Sequence, residues 1–173
     1  MIDDMLVRCH TGQQRPEAPA IEDLSKGDRL LLTRAITALE NDKYSSVDIE
    51  KLATLSQATT GSAVLGITGT GGAGKSSTTD EIIRRFRQDS RDELTIAVLA
   101  IDPTRKKTGG ALLGDRIRMN AISHPNIFMR SIATRDASVE IPHHLSEIIQ
   151  AMKLSVFDLI VIETPGIDQE KAN

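Results

Sequence analysis

The run Gly69-Thr70-Gly71-Gly72-Ala73-Gly74-Lys75-Ser76 has the spacing G-x-x-x-x-G-K-[ST]. Its chemistry would be phosphate binding. Glycines allow backbone turns that side-chain-bearing residues resist, so successive N–H groups can converge on phosphate oxygens. The N-terminus of a following helix adds partial positive charge. Lys75 would then reach the β and γ phosphates, and the Ser76 hydroxyl would ligate Mg²⁺. A glycine-rich turn with a solvated lysine is the bland alternative. The context decides against it, because the run follows an apolar stretch at residues 63–67 and opens one with helical spacing.

Two acids stand where a metal on those phosphates would need them. Asp102 follows the apolar run 95–101, and Pro103 holds it extended at the end of a strand. Glu163 follows the apolar run 157–162 and is itself followed by Thr164-Pro165-Gly166. Either acid alone could be a strand-end cap; the pair, behind a phosphate loop, suits Mg²⁺ and its attacking water. Between them, DPTRKKTGGALLGDRIRMN is too rich in glycine and charge for a core element before Asp115. Such a loop could carry Asp115 to the metal or water. Equally, Asp115 could cap a helix over residues 115–122, with Arg116 and Arg118 solvated.

The elements that must position these residues follow from periodicity. Runs at 63–68, 95–101 and 157–162 are β-rich and nearly unbroken, as in strands buried on both faces, and a weaker strand is expected at 126–130. Helical spacing occupies 75–86, 115–122 and 142–152. This alternation predicts an α/β fold with a mainly parallel sheet flanked by helices and ligands at the strands' carboxyl ends. Ahead of it, Asp28 reads as an N-cap for a stretch bearing Leu30, Leu31, Ala35, Ile36 and Leu39, and Ser46 opens another with Val47, Ile49, Leu52 and Leu55. The organisation expected is a flexible lead-in or linker at 1–24, a helical preface at 25–60, and the phosphate-loop domain at 61–173.

Composition narrows the partners. Aromatic residues are 2% of 173, with no Trp, and net charge is −3, which leaves few stacking platforms and no basic field for nucleic acid or anionic lipid. The cluster Arg105-Lys106-Lys107 reads as a solvated loop. A single cysteine, Cys9, forms no internal disulfide and suits a reducing compartment, and Cys9-His10 has no second pair to complete a metal site. The first residues have no apolar targeting core, and no run approaches the ~18 apolar residues that span a bilayer. The cytoplasm is the expected location. His124, His143 and His144 read as turn, surface or packing groups, Met119 and Met129 as core filler.

Taken together, GITGTGGAGKSS, AVLAIDPTRKKTGGALLGDRIRMN, FMRSIATR and FDLIVIETPGI resemble the P-loop GTPases that serve adenosylcobalamin-dependent acyl-CoA mutases, both the G-domain of fused isobutyryl-CoA mutases and the stand-alone methylmalonyl-CoA mutase chaperones. SKGDRLLLTRAITALEN resembles the helical segment before such G-domains, so the likeness covers residues 25–170. It implies a P-loop NTPase fold and a GTPase that couples nucleotide to loading or protecting the mutase's cobalamin. GTP and GDP would be the ligands, Mg²⁺ the metal, and adenosylcobalamin would enter only through a fused or separate mutase. Gly71, Gly72, Ala73, Gly74, Lys75, Ser76 and Ser77 are then the nucleotide-binding residues. Ser76, Asp102, Asp115 and Glu163 form the metal set, and Lys75, Asp115 and Glu163 the catalytic set. A homodimer is among the assemblies this leaves open.

Two departures from the family pattern accompany the likeness. Asp168 stands where glycine is expected after the second acid, which would restrict that switch and slow hydrolysis. Residues that would read guanine are expected beyond Asn173, so the domain is read as C-terminally incomplete. The competing functions are an ATP-dependent kinase or a partitioning-type ATPase, the latter normally carrying lysine where Thr70 stands, and a nucleotide-binding fragment without turnover.

Overall fold

The structure, a computed structural model, describes residues 17–59, 61–103, 119–134 and 141–166, with residues 102 and 103 described by their backbone alone. Asp115, Asp168, Cys9-His10 and the Arg105-Lys106-Lys107 cluster lie outside these residues.

A 3-10 turn, Ile21–Lys26, ends at Gly27, whose φ of 70° is left-handed. Helix α1, Arg29–Glu40, starts on Asp28, whose Oδ1 accepts from the N–H groups of Leu30 and Leu31 at 2.7 and 3.3 Å. Helix α2, Ser46–Ala58, opens at Ser46 as expected and is capped by Ser45: its hydroxyl accepts from the Asp48 N–H while the Asp48 carboxylate accepts from the Ser45 N–H. These reciprocal bonds satisfy donors that a helix start leaves free.

Strands β1 (Ala63–Gly69), β2 (Ile96–Pro103), β3 (Ile127–Thr134) and β4 (Leu159–Pro165) form one parallel sheet in the order β1-β4-β2-β3. Helix α3, Lys75–Asp89, follows β1, and α4, Leu145–Leu154, lies between β3 and β4 in sequence. The pleat sends alternate residues to opposite faces. Ala97, Leu99, Ile101, Ile160 and Ile162 meet α1, α2 and α4 in one apolar core, whereas Ile96, Val98, Leu159 and Val161 meet Ile83 of α3 in another. The N-terminal helices therefore cover one face of the sheet.

Three expectations change. Strand β1 is not buried on both faces: it pairs with β4 alone among the described residues, and its Val64 is 44% exposed. The weak strand near residue 126 is eight residues long and pairs with β2 along its full length. Residues 119–122, the described part of a predicted helix, are irregular, because side chains from α3 take the Ala121 main-chain groups that a helix would have used. Among the described residues no helix is long and apolar enough to cross a membrane.

Two tethers join α1 and its following turn to the edge strand β3 and to the start of α4. Arg130 on β3 donates to Glu40 at 2.9 Å and Thr37 at 3.0 Å, and His144 Nε2 lies 2.7 Å from Asp42 Oδ1. Leu52 of α2 is fully buried in the shared core. Leu52→Ala should lower unfolding free energy by about 2–5 kcal/mol in denaturant titrations, the cost of a partly collapsed cavity.

Tyr44, the chain's single tyrosine, donates its hydroxyl to the Pro19 carbonyl at 2.8 Å. Burial first, then the Asp48 charge, push its pKa up to about 12 from 10.0. The folded chain thus retains the phenolic proton where an unfolded chain has lost it. Stability should be independent of this group below pH 10, fall as pH rises to about 12, and change no further above that. Tyrosinate absorbance, which reads this residue alone, should titrate near pH 12 in the folded protein.

Candidate functional site

The carboxyl end of β1 turns through residues 70–74 into α3. Gly72 and Gly74 both have φ of 80°, a left-handed conformation that makes glycine the economical residue at each. Gly74 is the N-cap of α3, so the helix begins at Lys75 with its free N–H groups facing the loop. The Lys75 ammonium lies across this loop, donating to the carbonyls of Gly69 at 2.6 Å and Thr70 at 3.1 Å.

Strand β4 runs beside β1 in register, Ile67 opposite Glu163 and Gly69 opposite Pro165. That register delivers the acid. Ser76 donates its hydroxyl to Glu163 Oε1 at 2.9 Å, across 87 residues of sequence, and Glu163 is only 6% exposed. On the other side of β4, Ala100 of β2 is opposite Glu163, so Asp102 lies two residues further along β2 at the same carboxyl edge. The fold brings Lys75, Ser76 and Glu163 together and places the backbone of Asp102 on the neighbouring strand. Gly71, Gly72 and Ala73 form the exposed turn, with Ser77 in the first turn of α3. Asp115 lies outside the described residues.

Gly166 is a participant that the sequence reading did not assign to the site. Its N–H donates to the Gly69 carbonyl at 2.8 Å, the same oxygen that Lys75 holds. A Cβ on Gly166 would come 2.6 Å from Gly69 C and 2.8 Å from the Thr70 nitrogen. The available signal was a glycine three residues past the strand-end acid, but only strand register shows that it meets the loop. The histidines expected to be turn, surface or packing groups lie elsewhere: His143 stacks on His144 beside a cavity of ≈ 480 Å³ at the carboxyl end of β3, shared with Glu40, Asp42 and Ile148.

A strand–loop–helix phosphate site with a hydroxyl and a buried acid at the carboxyl edge of a parallel α/β sheet defines the P-loop nucleotide-binding class. Comparisons give the family. Residues 32–173 match the model of the methylmalonyl-CoA mutase-associated GTPase MeaB, and the chain belongs to that family of P-loop GTPases. It is 55% identical over 174 residues to the fused isobutyryl-CoA mutase of Cupriavidus metallidurans, a match covering 99% of this chain and 16% of that protein. A Pyrococcus horikoshii protein named as a GTPase is 42% identical over 158 residues, covering 90% of this chain and 48% of the relative. A crystal structure of LAO/AO transport system kinase superposes with a TM-score of 0.60 at 20% identity, over 93% of this chain and 47% of that one, and so shares the fold. The chain thus spans about a sixth of the fused mutase and about half of the other two.

Gly166→Ala should force the loop and the end of β4 apart, costing about 1–3 kcal/mol as overpacking does. Gly66→Ala is the control: the same added methyl meets nothing within 4 Å. Thermal unfolding should show a clear loss for the first variant and little change for the second.

Proposed function

We propose that this chain binds GTP with Mg²⁺ at residues 69–77 and hydrolyses it by water, and that the cycle is coupled to loading or protecting the adenosylcobalamin of an acyl-CoA mutase, fused or separate. The observation that carries the reading is the Ser76–Glu163 contact at 2.9 Å beside the Lys75 ammonium. Membership of the MeaB family supports the choice of GTP and of a mutase partner, and the fused mutase relative supports the same partner.

The donor set fits Mg²⁺: a hydroxyl oxygen and a buried carboxylate within hydrogen-bonding distance are hard oxygen ligands. Ser76 and Glu163 would hold it, with Asp102 and Asp115 completing the set. When bound, Mg²⁺ supplies neutralisation of charge on the β and γ phosphates. The chain's own part is mostly positioning. Loop N–H groups and the start of α3 would bind phosphate oxygens. Lys75 exchanges two neutral carbonyls for anionic oxygens, and charge-assisted bonds of that kind are about twice as strong. Glu163, its backbone held in strand β4 between two paired neighbours, would present its carboxylate to the metal. Little conformational freedom then remains to be lost as the phosphoryl group is transferred.

Titration with fluorescent GTP and ATP analogues, first with Mg²⁺ and then with excess EDTA, tests the reading. Magnesium-dependent binding that favours GTP, followed by phosphate release, is expected. Binding that ignores both the metal and the base, or transfer of phosphate to an acceptor other than water, would overturn it. Lys75→Ala should weaken GTP binding by roughly 30- to 150-fold, the loss of a charged hydrogen-bond donor at about 2–3 kcal/mol. A variant that retained its affinity would remove Lys75 from the site.

A further inference from the structure

Helix α3 begins at the phosphate loop and rests on the sheet through Ile83, which is fully buried in a cluster with Val161 of β4 and Ala121. Apolar burial is non-directional, so by itself it would let the helix slide or turn on the sheet. Ala121 removes that freedom. Its main-chain groups lie outside regular structure, and a buried peptide group there must find partners. Asp80 Oδ1 accepts from the Ala121 N–H at 2.8 Å, and Arg87 Nη1 donates to the Ala121 carbonyl at 3.0 Å. About 10 Å of helix separates these two residues, so sliding α3 would stretch at least one of the bonds. Arg87 is fixed in turn by Asp92, which accepts from its Nε at 2.7 Å, and the Asp92 carbonyl accepts from Asn126 Nδ2 at 2.7 Å.

We infer that Asp80 and Arg87 are positioning residues for the Ser76–Glu163 pair: by gripping both main-chain groups of Ala121, they set where the Ser76 hydroxyl stands against the Glu163 carboxylate. The magnesium part of this inference rests on the metal role proposed above for that pair. The two partners belong to different elements. Ser76 lies one turn before Asp80, about 6 Å along α3, whereas Glu163 lies in β4. The path between them runs from Asp80 to Ala121 and into β3, which pairs with β2 over its full length. It then crosses to β4, where Ala100 of β2 is opposite Glu163, and closes at the 2.9 Å hydrogen bond to Ser76. The loop N–H groups and Lys75, by contrast, are continuous with α3 and move with Ser76. Loosening the grip therefore changes the spacing of hydroxyl and acid while leaving the phosphate cradle intact.

The test compares wild type, Asp80→Ala and Asp80→Asn in the full chain, each with and without Ser76→Ala. Asparagine keeps an oxygen that can accept from the Ala121 N–H, whereas alanine does not. Thermal unfolding without nucleotide or metal gives the first readout. The shift in melting temperature caused by S76A should be clearly smaller in the D80A background than in wild type, because the hydroxyl there no longer sits against Glu163; in D80N it should return toward the wild-type value. The second readout is the Mg²⁺ dependence of binding of a fluorescent GTP analogue. For D80A, the Mg²⁺ concentration at half-maximal tightening should rise about tenfold, as for other residues that orient metal ligands. Affinity in EDTA should stay at the wild-type value, and D80N should recover most of the loss.

Melting shifts that simply add, with S76A costing the same in D80A as in wild type, overturn the inference whatever the nucleotide does. So does D80A with wild-type magnesium dependence, and so does D80N as impaired as D80A, which would mean that charge and not the grip matters. If D80A does not fold, the paired variants Arg87→Ala and Arg87→Lys carry both measurements from the carbonyl side, with the lysine expected to keep part of the coupling. Wild type without magnesium-dependent binding would bring down the proposed function, and the metal-free melting comparison would still decide whether Asp80 positions Ser76.

Discussion

The Gly69 carbonyl accepts from both the Lys75 ammonium and the Gly166 N–H, and the arrangement of the carboxyl edge depends on that shared oxygen. The approach of β4 to the loop is so close that a methyl group on Gly166 would press on the loop backbone. Because β1 and β4 are parallel and in register over seven residues, fixing Gly166 also fixes Glu163, three residues back, beside Ser76. One backbone contact thereby sets the distance between a hydroxyl and an acid that are far apart in the chain.

The sheet makes that contact dependable. β4 is paired on both sides, by β1 and β2, and its first five residues are all buried. Its alternating side chains serve two cores at once, one under α3 and the other under α1, α2 and α4. A displacement of Glu163 along its strand would break ladders with two neighbours and move apolar groups on both faces to the wrong side. Site geometry is thus secured by aliphatic packing some distance from the chemistry, in a chain with few aromatic residues.

Local devices were readable in the sequence. The loop 69–76 has its own glycine spacing, Asp28 caps a helix whose first N–H groups it can reach, and Glu163 stands where an apolar run ends. Devices that join distant segments were not. Nothing in β1 marks it as a strand with one partner among the described residues, because its apolar run reads like those of β2 and β4, and only the strand order separates them. Residues 119–122 have apolar spacing compatible with a helix, yet Asp80 and Arg87, 41 and 34 residues away, take the main-chain groups of Ala121. Side-chain bonds to a remote backbone leave no periodic trace. Gly166 was visible as a residue of a strand-end turn, but its closeness to Gly69 emerges only from register.

The position of α1 and α2 also has a consequence for the order in which the chain can acquire structure. Their buried residues Leu32, Ile36, Leu39 and Leu52 share a core with Phe128, Ile148, Met152 and Ile160, all more than seventy positions later in sequence. Strand β1, the next element to be made, contributes nothing to that buried cluster. During synthesis the two helices must therefore wait for about 100 further residues, roughly 5–20 s at 5–20 residues per second, before the face that covers them is complete. Contacts of such long range also slow folding in free solution. These two helices precede in the chain most of the residues that bury them, which leaves their apolar stripes open to whatever holds nascent chains in the meantime.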